Sequence, residues 1–136
     1  MNNRYEGVVL VDVSPGDTEV FDAEFLERAG HPVLVCHGPE VATLCPLLGG
    51  TGCPKYESAH GIVFELDLDR PQHRAIVERY RALGRPDLPI RVVVRADQAE
   101  RHAELLANVE VWTHEPNVAD LDGFACEVEA ADYFAE

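Results

Sequence analysis

Residues 61–71 read Gly61-Ile62-Val63-Phe64-Glu65-Leu66-Asp67-Leu68-Asp69-Arg70-Pro71. An apolar run gives way to acids alternating with leucine, which predicts a strand over 61–69 whose carboxyl end is acidic. Pro71 suits the first position of a helix, where its missing N–H costs nothing. Ile76, Val77, Tyr80 and Leu83 then supply an inward face, and Gly84 is the expected stop. Strand, acidic edge and helix in that order make half of a βαβ unit.

The same pattern recurs on both sides. Upstream, Val8-Val9-Leu10-Val11-Asp12-Val13 is a continuous apolar run of the kind buried on both faces. Ser14-Pro15-Gly16-Asp17 ends it as a loop, and residues 19–29 follow as a helix with Val20, Phe21, Phe25 and Leu26 inward. Gly30 stops that helix, and Val33-Leu34-Val35 is a second strand running into Cys36. Downstream, residues 89–94 predict a fourth strand. Asp97 is the expected N-cap of a helix over 98–108, with Glu100 completing a capping box. Residues 109–112 make a short fifth strand containing Trp112, and 117–134 a last helix burying Leu121, Phe124, Ala125 and Val128. Five strands alternating with helices predict an α/β domain with a parallel sheet wound on both faces. No linker or shift of composition divides it, so residues 1–136 read as one domain.

Composition narrows the function. The 136-residue chain is 46% hydrophobic and 26% charged, as globular proteins are, and carries a formal net charge of −14. Such a charge opposes electrostatic binding to nucleic acid or an anionic membrane. The first apolar run meets Asp12 too soon for a signal peptide, and no stretch approaches the roughly 20 apolar residues of a membrane span. The expectation is a cytoplasmic protein, in which cysteines are thiols, metal ligands or redox groups more often than structural disulfides.

Several landmarks give the chain a resemblance to the receiver domain of two-component response regulators, over nearly its whole length. Residues 24–35 are similar to the end of a receiver's first helix and its second strand. Asp67-Leu68-Asp69-Arg70-Pro71 matches the family's Asp-x-x-x-Pro, whose Asp accepts the phosphoryl group. Asp12 falls where receivers keep an acidic magnesium-binding pair, and Thr113-His114-Glu115-Pro116 where they keep Lys-Pro. The resemblance implies a flavodoxin-like, doubly wound five-stranded fold, a signalling role, and protein partners or self-association through the last strands and helix. The chain departs from the family at three places. Val13 follows Asp12 where a second acid belongs, Glu115 replaces the lysine, and Val94-Arg95-Ala96 lacks the Thr or Ser after strand four. Phosphoryl transfer depends on positioned positive charge, so Glu115 opposes it. Asp12, Asp67 and Asp69 read either as a magnesium-binding, phospho-accepting rim or as solvated acids, Glu65 shares the strand phase of Asp67, and Asp67 also suits a helix N-cap.

The connection after strand two is unlike a receiver's. Residues 36–53 read CHGPEVATLCPLLGGTGC and hold Cys36, Cys45 and Cys53, three of the four cysteines. Loop closure grows only logarithmically with length, so these thiols can meet on one centre, with His37, Cys126 or an acid as a fourth ligand. The absence of a Cys-x₂₋₄-Cys knuckle counts against zinc. The pairs Cys45-Pro46 and Cys53-Pro54 point towards an iron–sulfur cluster, since Cys-Pro ends a known cluster-ligand run. Reactive thiols without metal are a further reading, and so is plain packing, because cysteine behaves as a small hydrophobe. Cys53, between Gly52 and Pro54, is hardest to explain as packing. The Gly49-Gly50-Thr51-Gly52 run lacks the lysine of a phosphate loop, no nucleophile elbow is present, and His73 and His102 fall on expected helix surfaces.

The sequence therefore predicts a non-catalytic, receiver-like regulatory module with the Cys36/Cys45/Cys53 loop as a metal, cluster or redox sensor. A small thiol-dependent enzyme or oxidoreductase and a phospho-accepting receiver using Asp67 are the alternatives.

Overall fold

The structure, a computed structural model, describes residues 8–13, 20–36, 53–83 and 88–134. Five strands, β1 (Val9–Asp12), β2 (Val33–Cys36), β3 (Gly61–Phe64), β4 (Ile90–Val93) and β5 (Glu110–Trp112), form one sheet in the order β2-β1-β3-β4-β5. Every pairing is parallel. The helices are α1 (Val20–Arg28), α2 (Pro54–Ser58), α3 (Pro71–Leu83), α4 (Ala96–Arg101) and α5 (Val118–Phe134). The expected doubly wound, flavodoxin-like fold is present.

Strand side chains alternate between faces, and two cores result. Leu10, Ile62, Phe64 and Val92 pack with Tyr56 of α2, Ile76, Val77 and Tyr80 of α3 and Leu106 beyond α4. Val9, Val11 and Val63 pack on the other face with Ala23 and Leu26 of α1 and Leu121, Phe124, Ala125 and Val128 of α5. Leu26 is fully buried as expected; the side chains of Val20 and Phe21, and Gly84, fall outside the described part.

Three boundaries depart from expectation. β3 stops at Phe64 rather than Asp69: Glu65 N still reaches Asp12 O of β1 at 2.7 Å, but past it the backbone bonds to side chains, Asp67 N donating to His73 Nδ1 (3.1 Å) and Asp69 N to Asp67 Oδ1 (3.0 Å). Leu66 and Leu68 are buried all the same, so the leucine–acid alternation is carried by a bend. α4 begins one residue before Asp97, with Arg95 at the N-cap and its N–H 3.4 Å from Gln98 Oε1. It ends at Arg101; residues 102–108 continue as turns closed by Asn108 at φ 65°, a left-handed conformation that Asn tolerates.

α5 starts as the sequence predicts. Asn117 Oδ1 accepts the Asp120 N–H at 2.8 Å, and Asp120 Oδ2 accepts the Asn117 N–H at 3.1 Å, a reciprocal cap. Asn117→Ala is expected to cost about 1 kcal/mol in urea denaturation, and an unchanged midpoint would show that the cap contributes nothing. Among the described residues no helix is long and apolar enough to cross a membrane.

Candidate functional site

The carboxyl ends of β3, β4 and β5 surround a cleft of about 400 Å³ lined by Glu65, Asp67, Arg95, Gln98, Thr113 and Glu115 among others. Sheets of this kind keep their ligands at that edge. The lining holds three acids against Arg95 and His114.

The acids predicted to form one rim part: Asp12 goes one way, Asp67 and Asp69 together another. Asp12 is 1% exposed, and the Tyr80 hydroxyl donates to its Oδ2 at 2.6 Å. Burial pushes its carboxyl up to about 7, against the hydrogen bond from Tyr80, the charge of Lys55 and the Cys36 thiol. Tyr80 is itself raised well above the usual phenol range, by burial first and then by Asp12. Its ring stacks on Tyr56, centroids 5.2 Å apart. Asp12 is thus turned into the core under α3.

Asp67 and Asp69 turn outward to α4. Gln98 Nε2 donates to Asp67 Oδ1 (2.8 Å) and to Asp69 Oδ2 (3.1 Å). Arg101 Nη2 reaches Asp69 Oδ2 at 2.7 Å, and His102 Nε2 lies 3.0 Å from Asp69 Oδ1. Hydrogen bonds from His102, Gln98 and Arg101 hold Asp69 well below the usual carboxylate range. Asp67 and Asp69 therefore serve as a latch between the β3–α3 bend and α4. Glu65 instead lies beside Asp22 of α1, both of its carboxyl oxygens buried. Burial raises Asp22, and the charge of Glu115 raises it further.

Two histidines correct the sequence reading. His73, expected on a helix surface, is 2% exposed, and burial lowers its pKa first, then Arg70. Its Nδ1 accepts the Asp67 N–H, which requires that nitrogen unprotonated. His102 is held by Asp69 rather than solvated.

Cys36 and Cys53 are both part-buried and pack against the same core, the one containing Tyr56 and Tyr80. Cys126 is exposed on α5, which covers the opposite face, so the sheet separates it from them and it is no fourth ligand there. His37, Cys45 and the 49–52 glycine run lie outside the described residues. Among the described residues no group of three or more His, Cys, Asp or Glu is placed to hold a metal ion. Lys55, Gln98, Arg101 and Asp22 went unnoticed in the sequence; Tyr80 was placed on an inward helix face, and only its polar tip, on an otherwise aliphatic face, hinted that a buried partner waits for it.

No family model and no curated protein sequence matches the chain. Solved structures do. The CheY-like receiver domain of a Methanospirillum hungatei response regulator superposes with a TM-score of 0.62 at 13% identity, covering 96% of this chain and 99% of that one. A Francisella response regulator receiver domain gives 0.58 at 15% identity, covering 96% and 99%. The response regulator DrrB of Thermotoga maritima gives 0.55 at 12% identity, covering 97% of this chain and 55% of the longer one. The fold is that of receiver domains.

Proposed function

We propose that the chain is a non-catalytic regulatory module that works through protein contact, with a partner or a second copy, and is not switched by phosphorylation of Asp67. The observation that carries this is the burial of Asp12 against Tyr80. The single acid at the end of β1 is turned away from the cleft, where Glu115 stands in place of a cation. Magnesium and positive charge are what phosphoryl transfer needs. Incubation with labelled acetyl phosphate and magnesium is expected to leave the protein unlabelled. Labelling that disappears in Asp67→Asn would restore the phospho-accepting reading.

The cysteine stretch gives the module its input in this reading, in the cytoplasm. The packing of Cys36 and Cys53 against one core favours it, since the two ends of the stretch lie over the same helices. With Cys45 they hold zinc or an iron–sulfur cluster, or they respond by oxidation. Elemental analysis and visible absorbance of anaerobically purified protein separate these. One thiol alkylated far faster than the others and needed for turnover would instead favour a thiol-dependent enzyme.

A further inference from the structure

Glu65 and Glu115 line one cleft from beyond the ends of β3 and β5, and Leu66, Val93 and Val94 supply its apolar wall. Both cations of the lining are turned to acids outside it. Arg95 Nε donates to Asp97 Oδ1 at 3.2 Å and its Nη2 lies 3.7 Å from Asp69 Oδ2, while His114 Nε2 lies 2.9 Å from Asp120 Oδ2. Asp67, the third acid of the lining, accepts from Gln98. Asp22 of α1 adjoins the cleft beside Glu65 and is only 4% exposed. Its Oδ2 is fully buried and has no hydrogen-bond partner among the described residues. The negative charge of Glu115 acts on the same group. A buried carboxyl oxygen without a donor costs free energy, and a like charge nearby adds to it. A ligand that brings N–H donors and positive charge to this end of the cleft relieves both.

We propose that the cleft receives an arginine side chain of a partner protein, its guanidinium held among Glu65, Glu115 and Asp22. The proposal rests on the reading of the chain as a module that works through protein contact, and it names the chemistry of that contact. Arginine suits the cleft better than lysine. Its guanidinium is a planar fork of N–H donors that can serve several carboxyl groups at once, and it is more weakly hydrated than an ammonium. The aliphatic stem of the side chain lies against Leu66, Val93 and Val94, as such stems do on apolar surface. The formal net charge of −14 draws a basic partner from a distance.

Titration of the full-length, 15N-labelled protein with N-acetyl-arginine methylamide at low ionic strength, where screening is weakest, is the test. Expected are saturable amide shifts at Leu66, Val94 and Thr113. The citrulline analogue, of the same shape but uncharged, is expected to bind at least about tenfold more weakly, and so is the protein carrying Glu65→Gln. Glu115→Lys is expected to abolish saturation; Glu115 is exposed, so that variant keeps the wild-type spectrum away from the cleft. No saturable shift at the cleft in the wild type overturns the proposal. So does citrulline binding as tightly as arginine, or unchanged arginine binding in Glu115→Lys. A lysine analogue that binds as tightly overturns the choice of arginine. Magnesium that gives the same shifts and displaces the arginine analogue overturns it in favour of a metal site. Failure here leaves contact through another surface standing, whereas labelling by acetyl phosphate overturns that reading without touching this titration.

Discussion

Asp12→Asn is expected to stabilise the protein at pH 8 by about 2–4 kcal/mol, an unusual gain for a polar substitution in a core. The Asp12 carboxyl is raised from 3.8 to about 7 by burial. A shift of roughly three units corresponds to about 4 kcal/mol at full value, and relaxation of the surroundings lowers that. The sign follows from proton binding. Between about pH 4 and pH 7 the folded protein holds this proton and the unfolded chain has lost it. Folding is favoured most by this group below about pH 4 and progressively less up to about pH 7; above that, the penalty of a buried carboxylate is constant. Asn keeps an oxygen for the Tyr80 hydroxyl and never ionises. Urea denaturation at pH 4 and pH 8 is the measurement, read as the difference between wild type and Asp12→Asn.

The difference is needed because other acids act on the same profile. Asp69, held low by His102, Gln98 and Arg101, contributes stability that is present above the ordinary carboxylate range and lost on acidification. Asp22 is raised, as Asp12 is. Both are common to wild type and variant and cancel. A gap that is large at pH 8 and closes near pH 4 is the expected outcome; a gap independent of pH would mean Asp12 is not the buried titrating group.

The sheet was readable because its strands are continuous apolar runs, and parallel strands covered on both faces have that composition. Helices α3 and α5 carried Pro71 and Asn117 at their starts. The arrangement of the acids was not readable, for a reason of distance. Asp12 meets a hydroxyl 68 residues away, and Asp67 and Asp69 meet Gln98, Arg101 and His102 about 30 residues on. Period-two spacing put Glu65, Asp67 and Asp69 on one strand face, yet the strand ends at Phe64, and Glu65 parts from Asp67 and Asp69, which meet on Gln98. The capping box was placed on Asp97 and Glu100 because acids are the commoner caps. Asp97 instead pairs with Arg101 one turn on, at 2.9 Å, leaving Gln98 to close the first turn.

Gly61→Ala is the second substitution with a large expected effect, a loss of about 1–2 kcal/mol, from one methyl group. Gly61 opens β3, the central strand, and α5 crosses directly over it. A Cβ built there would lie 2.4 Å from Val128 Cγ2 and 3.2 Å from Phe124 Cζ, so something must move. Val128 is β-branched and stiff at χ1, and it is fully buried, so its methyl has no easy alternative position. The helix is not free to lift either. His31 Nδ1 lies 2.8 Å from Glu129 and Arg91 bonds Glu127 at 2.6 Å, both from outside the helix. Overpacking of this kind costs roughly 1–3 kcal/mol, and the stiffer unfolded chain of alanine returns about 0.4–1 kcal/mol of it. Chemical denaturation measures the balance. Val128→Ala alone leaves a cavity and destabilises, but in the Gly61→Ala background it removes the clash, so the two changes together should cost clearly less than their sum. Strict additivity, or a Gly61→Ala protein as stable as wild type, would mean that α5 does not press on the sheet at Gly61.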